Sequence, residues 1–253
     1  MINLKAKQWE FNNVETVLLD KDGTFIDLHY FWGKMTEMRA LNVMNAFNLS
    51  EDFFCVICSY LGYDIKTKKM LPDGITALYS RSKIIEIFRG NLMDLAVNTS
   101  ERKIAEIFDK VSIDFYNEIE MYTKPISEAI EFIKKLRVLG VKVGVVTSDS
   151  IVSTNLIIKN QGWDGLFDVV IGRESSSETK ESGIPTKLAM KSLNANPETT
   201  IMIGDAPMDY ISASNAGIDK TILVATGQVD VEKLKEFSPY VLKSLKDLEC
   251  WKI

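Results

Sequence analysis

This sequence predicts an α/β fold, a Rossmann-like parallel sheet core carrying an inserted α-helical domain, and three observations predict it. An apolar run with a β-rich start, Val14 to Leu19, has the length of a buried strand and stops at a carboxylate, Asp20. From Pro125 onward, apolar strand runs alternate with amphipathic helical patterns, the order that builds a parallel sheet with right-handed crossovers. Between these, from Asp27 to about Glu120, apolar residues recur at helical spacing with no convincing strand alternation.

Taken in order, residues 1–13 read as a short lead-in, with Trp9 and Phe11 packing on a sheet edge. The first strand runs from about Val14 to Asp20. Segments near 33–47, 51–61, 76–89 and 101–119 read as helices, and Asn48-Leu49-Ser50-Glu51 and Asn98-Thr99-Ser100-Glu101 read as breaks followed by helix caps. Lys66 to Gly74 is the main loop of this stretch, closed by Pro72-Asp73-Gly74. Pro125 opens a helix through Leu139, with Ile126, Ile130, Ile133 and Leu136 on one face and Gly140 at its end. Then come a strand, Val141 to Val146; a helix, Ser150 to Gln161; a strand, Phe167 to Ile171; and a helix from Pro185 to about Leu193. A strand over Thr200 to Ile203, a helix over Asp209 to Ala216 and a last clear strand, Thr221 to Val224, complete the pattern. The core is therefore drawn from residues 1–26 and 121–253, and the helical insertion spans 27–120.

The 253 residues are 46% hydrophobic and 26% charged, an ordinary globular composition. A net charge of −5 implies no basic surface for nucleic acid. No apolar stretch approaches the ~20 residues of a membrane span, and the first residues lack the apolar centre of a signal peptide. The expected setting is the cytoplasm. Three cysteines argue against a disulfide framework. Cys55 and Cys58 form a Cys-x-x-Cys without a second ligand pair, and the spacing fits two buried helix residues.

The chemistry gathers at strand ends. Asp20-Lys21-Asp22-Gly23-Thr24 places two carboxylates two residues apart, with Gly23 to turn the chain. Such a pair repels itself unless a proton or a cation lies between, and a hard oxygen-seeking ion such as Mg²⁺ suits it. Asp and Gly are also common turn residues. In open α/β sheets, ligands bind at the carboxyl ends of the strands, where Asp20 sits. The strand over 143–146 ends in Thr147-Ser148-Asp149, which serves equally as a helix cap or an anion site. The strand over 201–203 ends in Gly204-Asp205, followed by Asp209.

Asp-Lys-Asp-Gly-Thr resembles the first signature of the haloacid dehalogenase (HAD) superfamily in its phosphatase form, within the C1-capped branch that includes phosphoglycolate phosphatase and β-phosphoglucomutase-like enzymes. The later stretches resemble its remaining signatures in order. The resemblance covers 14–27 and 122–225, and the helical insertion by position. It implies Asp20 as nucleophile and Asp22 as general acid/base, with Thr147 and a lysine as their catalytic companions. Lys180 is the preferred lysine, although Glu181 stands where many relatives have proline; Lys187 is the alternative. Lys21, Thr147, Ser148 and Lys180, with Asp20, would meet the phosphate. Asp20, Asp22, Asp205 and Asp209 would hold Mg²⁺. The insertion would act as a cap that closes over the site. Basic residues of the loop from Lys66 to Arg81, Arg81 above all, with His29 and Lys34 near the hinge, would meet the substrate. The implied activity is Mg²⁺-dependent release of phosphate from a small-molecule phosphate monoester through an aspartyl-phosphate. A sugar-phosphate mutase on the same scaffold, or a phospho-aspartate signalling module, are the other readings.

Overall fold

A computed structural model describes all residues, 1–253. The chain divides into two compact units, residues 1–27 with 125–253, and residues 28–124. In chain order, the first unit opens with β1 (Ile2–Ala6), β2 (Trp9–Val14) and β3 (Thr16–Leu19). The second unit holds α1 (Leu28–Phe47), α2 (Phe54–Tyr60), β4 (Tyr63–Asp64), β5 (Lys69–Met70), α3 (Ile75–Leu78), α4 (Arg81–Met93), α5 (Glu101–Asn117) and α6 (Ile119–Tyr122). The first unit resumes with α7 (Ser127–Val138), β6 (Lys142–Val146), α8 (Ile151–Asn160), β7 (Val169–Ile171), α9 (Ile184–Leu193) and β8 (Thr200–Gly204). It ends with α10 (Pro207–Asn215), β9 (Thr221–Val224), α11 (Val231–Leu234), β10 (Val241–Leu242) and β11 (Glu249–Lys252).

Six strands form one sheet in the order β10-β9-β8-β3-β6-β7, and every pairing in it is parallel. β3 is central and wholly buried, as a strand covered on both faces must be. The chain leaves β3 toward β6 and β7 on one side, then crosses back to β8 on the other. That reversal leaves a crevice at the carboxyl end of β3, the usual place for a ligand in such sheets. One face of the sheet packs Leu18, Val146 and Met202 against Ala189, Met190 and Leu193 of α9 and Ala213 of α10.

Several boundaries differ from the sequence reading. Residues 1–13 are not a lead-in: β1 and β2 form a three-stranded antiparallel sheet with β11. Ile2, Leu4 and Ala6 alternate inward, a period of two. The partner that completes the pattern, with Leu4 opposite Cys250, lies at the far end of the chain. Trp9 and Phe11 pack their rings on Tyr240, beside the edge strand β10. The first strand of the parallel sheet begins at Thr16, not Val14, because Val14 belongs to β2. Pro125 lies before its helix rather than inside it, bridged to Ile26, and Thr221–Val224 is followed by two further strands.

The second unit is helical apart from the short hairpin β4–β5, which interrupts the segment read as a loop. Asp64 accepts the backbone N–H of Lys66 and the hydroxyl of Thr67, fixing the turn. α5 owes its place to Ile104, Ile107, Phe108, Val111 and Phe115, all buried along one stripe. Phe108 meets Phe88 of α4 at 5.7 Å between ring centroids. Cys58 is buried here but Cys55 is exposed, so only one of the pair is a core residue; all three cysteines are free. No helix of the protein is long and apolar enough to cross a membrane.

Candidate active site

The register of the sheet gathers the strand-end residues. Leu19 lies opposite Val145 of β6 and Ile203 of β8, so the segments that follow all three strands emerge side by side. The Asp20 N–H still donates to the Ile203 carbonyl at 2.9 Å, which holds Asp20 to the sheet edge. The chain then curls at once. The N–H groups of Thr24, Phe25 and Ile26 converge on the Lys21 carbonyl, and Gly23 adopts φ +82°, a left-handed value that side chains resist.

Five aspartates and two lysines meet here. Lys180 places its Nζ 2.5 Å from Asp20 Oδ1 and 2.6 Å from Asp209 Oδ1. It is presented by a 3₁₀ turn, Lys180–Ser182. That turn is tied down where the Asn215 amide donates to the Glu181 carbonyl. Gly183 packs so closely on Asn215 and Ala216 that a Cβ there would meet backbone at 2.7 Å. Lys187, the alternative, is exposed on α9.

Lys21, expected to meet phosphate, is fully buried, with Nζ 2.8 Å from Asp22 Oδ1 and 3.0 Å from Asp149 Oδ2. Its role is to clamp two carboxylates. Asp149, read only as part of a helix cap, is the residue that sequence reasoning missed; it accepts the Ser150 N–H, while its own N–H donates to Thr147 Oγ1. Thr147 is buried at the end of β6 and Ser148 is exposed beside Met208. Removing the Lys21 charge strands two carboxylates. Lys21→Met should cost about 3–5 kcal/mol of stability, read as a lower denaturant midpoint; an unchanged midpoint contradicts the clamp.

Asp20, Asp205 and Asp209 offer carboxylate oxygens that all lie within 4.8 Å of one another. Asp205 is walled by glycine: a Cβ on Gly23 would come within 2.3 Å of its Oδ2, and one on Gly227 within 1.7 Å. Gly227 belongs to the segment after β9, and its neighbour Thr226 donates to the Gly23 carbonyl at 2.5 Å. This fourth strand-end segment was also missed, although its place after a strand was a signal. Asp209 sits in the first turn of α10, where one oxygen accepts the Ala206 N–H and the other faces Lys180.

Electrostatics show that the cluster lacks positive charge. Burial pushes the Asp20 carboxyl up to about 6; Lys180 pulls it back and Asp209 pushes it further. Burial raises Asp22 to about 6 against the pull of Lys21. Burial also carries Asp205 well above the usual carboxylate range, with Asp20 and Asp209 adding to it. Burial opposes the charge on both lysines, but their aspartate neighbours overcome it and hold them above the ordinary lysine range. Against burial, Lys21 and the Ser150 N–H keep Asp149 low. Oxygen donors, excess negative charge and a glycine-walled space fit a hard divalent cation. The Asp22 carboxylate, also expected at the metal, faces Lys21, whose Nζ donates to its Oδ1 at 2.8 Å.

His29, Lys34 and Arg81 belong to the helical unit, each with a partner there. His29 Nδ1 accepts the Met70 N–H at 3.1 Å, Lys34 pairs with Glu37 at 2.7 Å, and Arg81 pairs with Asp109 at 2.6 Å. Arg81 does not lie in a loop; it is the first residue of α4.

Acidic residues and a lysine thus converge at the carboxyl edge of a parallel α/β sheet. Residues 14–217 match the family model "haloacid dehalogenase-like hydrolase", and the chain belongs to that family. It is similar to pyrophosphatase PpaX of Bacillus cereus (strain Q1), 26% identical over 93% of this chain and 94% of that protein. Its fold resembles a predicted phosphoglycolate phosphatase from Haemophilus somnus 129pt, with a TM-score of 0.67, 16% identity and coverage of 94% and 97% of the two chains. It also resembles β-phosphoglucomutase from Clostridium difficile, with a TM-score of 0.62, 19% identity and coverage of 92% of each chain.

Proposed function

We propose that the protein is a Mg²⁺-dependent phosphohydrolase, acting on a small phosphorylated metabolite in the cytoplasm through an aspartyl-phosphate on Asp20. The observation that carries this reading is Asp20 at the end of the central strand, 2.5 Å from Lys180 and within 4.8 Å of the oxygens of Asp205 and Asp209.

Asp20 attacks phosphorus through a carboxylate oxygen and expels the alcohol, leaving a phosphoryl group on Asp20. Asp22 gives its proton to the departing oxygen and then takes one from the water that cleaves the acyl-phosphate. A carboxyl raised to about 6 is suited to both halves of that exchange near neutral pH. Lys21 and Asp149 keep Asp22 fixed while it works. The Thr147 hydroxyl, which accepts from the Asp149 N–H, keeps its own hydrogen to donate to a phosphoryl oxygen. Lys180 balances charge on the equatorial oxygens. When bound by Asp20, Asp205 and Asp209, Mg²⁺ supplies charge that draws in the phosphate and lowers the cost of bringing two anions together.

Phosphate release from a metabolite panel that includes inorganic pyrophosphate tests the reading, with Mg²⁺ or with EDTA. Release that depends on Mg²⁺ is the expected result; no release from any member with Mg²⁺ present contradicts it. Transfer of phosphate within a sugar phosphate, with none released, would point instead to a mutase. Asp22→Asn refines the test. It should slow esters with poor leaving groups by about 10²–10⁴-fold, while p-nitrophenyl phosphate, whose leaving group needs little protonation, is slowed far less. Equal losses on both would remove Asp22 from the acid role.

A further inference from the structure

The segment that follows β9 brings no carboxylate to the acidic cluster, yet two of its residues reach it. Thr226 Oγ1 donates to the Gly23 carbonyl at 2.5 Å, across 203 positions of the chain. Gly227 lies against Asp205. A Cβ built on it would overlap Asp205 Oδ2 and stand 2.5 Å from Cγ and 2.9 Å from Cβ, and these three nearest atoms all belong to Asp205. The backbone does not need glycine at this position, because Gly227, unlike Gly23, has no left-handed φ. What the missing side chain leaves open is the space that the Asp205 carboxylate fills.

Asp205 depends on that space being shaped. Asp209 is oriented by the Ala206 N–H and Asp149 by the Ser150 N–H. No hydrogen bond orients the Asp205 carboxylate; burial and the charges of Asp20, Asp209, Lys180 and Asp22 act on it. Three of those four groups are acids, so charge drives the carboxylate away from its fellow ligands until a cation joins them. Close packing is what holds it in place. Gly23 and Gly227 both pack on Oδ2, and the Thr226 hydroxyl fastens their two segments to each other.

We propose that Thr226 and Gly227 are positioning residues of the metal site. Thr226 ties the segment after β9 to the turn at Gly23, and Gly227 keeps the Asp205 carboxylate where it shares a cation with Asp20 and Asp209. The inference rests on the reading that these three carboxylates hold Mg²⁺. Mg²⁺ demands nearly ideal placement of its ligands, so a carboxylate turned aside by one added methyl group loses affinity although every ligand is still present.

Calorimetric titration of the metal-stripped protein with Mg²⁺ tests this without turnover. Wild type should bind saturably. Gly227→Ala should bind about 10–100-fold more weakly, the loss that an outer partner of a metal site produces. Thr226→Val should bind at least about tenfold more weakly, while Thr226→Ser, which keeps the hydroxyl, should bind as wild type does. Melting in EDTA shows whether the glycine acts through Asp205. Gly227→Ala should lower the melting temperature of wild type but not that of Asp205→Gly, in which the atoms facing the new methyl group are gone. Wild-type Mg²⁺ affinity in both Gly227→Ala and Thr226→Val overturns the proposal and leaves the metal reading standing. A melting penalty that persists in Asp205→Gly also overturns it, because the glycine then makes room for something else. A wild type that binds no Mg²⁺ overturns the proposal together with the reading beneath it. Should Gly227→Ala fail to fold, the contrast at Thr226 decides: equal affinities in Thr226→Val and Thr226→Ser overturn the proposal.

Discussion

Asp20→Asn should leave a folded protein whose phosphate release falls by roughly 10⁴-fold or more. The amide keeps the size and planarity of the side chain but has no charge with which to attack phosphorus. Its neighbours make the substitution tolerable. Asp20 is held at the sheet edge by its backbone N–H, not by its carboxylate. Lys180 keeps a full carboxylate partner in Asp209, at 2.6 Å. The melting temperature, measured beside the rate, separates lost chemistry from lost structure. A folded Asp20→Asn protein that turns over p-nitrophenyl phosphate at a rate near wild type removes Asp20 from the nucleophile's place.

Asp205→Asn should have the second largest effect, and it works through metal. Asp205 is buried among Asp20 and Asp209 and raised well above its usual range, so its negative charge is costly until a cation arrives. Replacing it should raise the Mg²⁺ concentration needed for half-maximal activity by at least about 10–100-fold, the loss that even an outer partner of a metal site produces. The same change should raise the melting temperature of the metal-free protein, because one of several repelling carboxylates is gone. Linkage gives a matching expectation for pH. Asp20 and Asp22 bind protons more tightly in the folded state, with values near about 6. The folded protein therefore holds more protons than the unfolded chain between those values and the unfolded ones near 4. The contribution of this cluster favours folding as pH falls through that window and is lost as pH rises above it. Mg²⁺ competes with those protons, so its stabilising shift in melting temperature should be largest near neutral pH and shrink toward about pH 5. A Mg²⁺ shift that is equal at both ends, or kept by Asp205→Asn, would show that the metal sits elsewhere.

The legible part of this site was its strand ends. Asp20, Thr147 and Asp205 each follow an apolar run, and a parallel register brings such positions together whatever the loops do. Lys180 was legible only in outline, since its presentation depends on Gly183 packing against the end of α10. The pairing of Lys21 with Asp149 was hidden for a different reason. A lysine between two aspartates reads as a phosphate contact in sequence, and nothing local shows that the curl at Gly23 turns it inward toward a carboxylate 128 positions away. The antiparallel sheet failed in the same manner, because β1 is completed by β11 at the other end of the chain. In the helical unit the periodicity of α5 was plain. The partner of Arg81 was not, because the pattern that places a helix does not say which helix it faces.

The most direct test of the account is to trap the intermediate. The wild-type enzyme, mixed with its best substrate and Mg²⁺ and quenched in acid within a turnover, is digested and its peptides weighed. The account predicts one added phosphoryl group on the peptide that carries Asp20, removed by hydroxylamine as an acyl-phosphate is, and absent from Asp20→Asn. Phosphate released at full rate with no phosphorylated peptide at any quench time, or with the phosphoryl group on a residue other than Asp20, contradicts it.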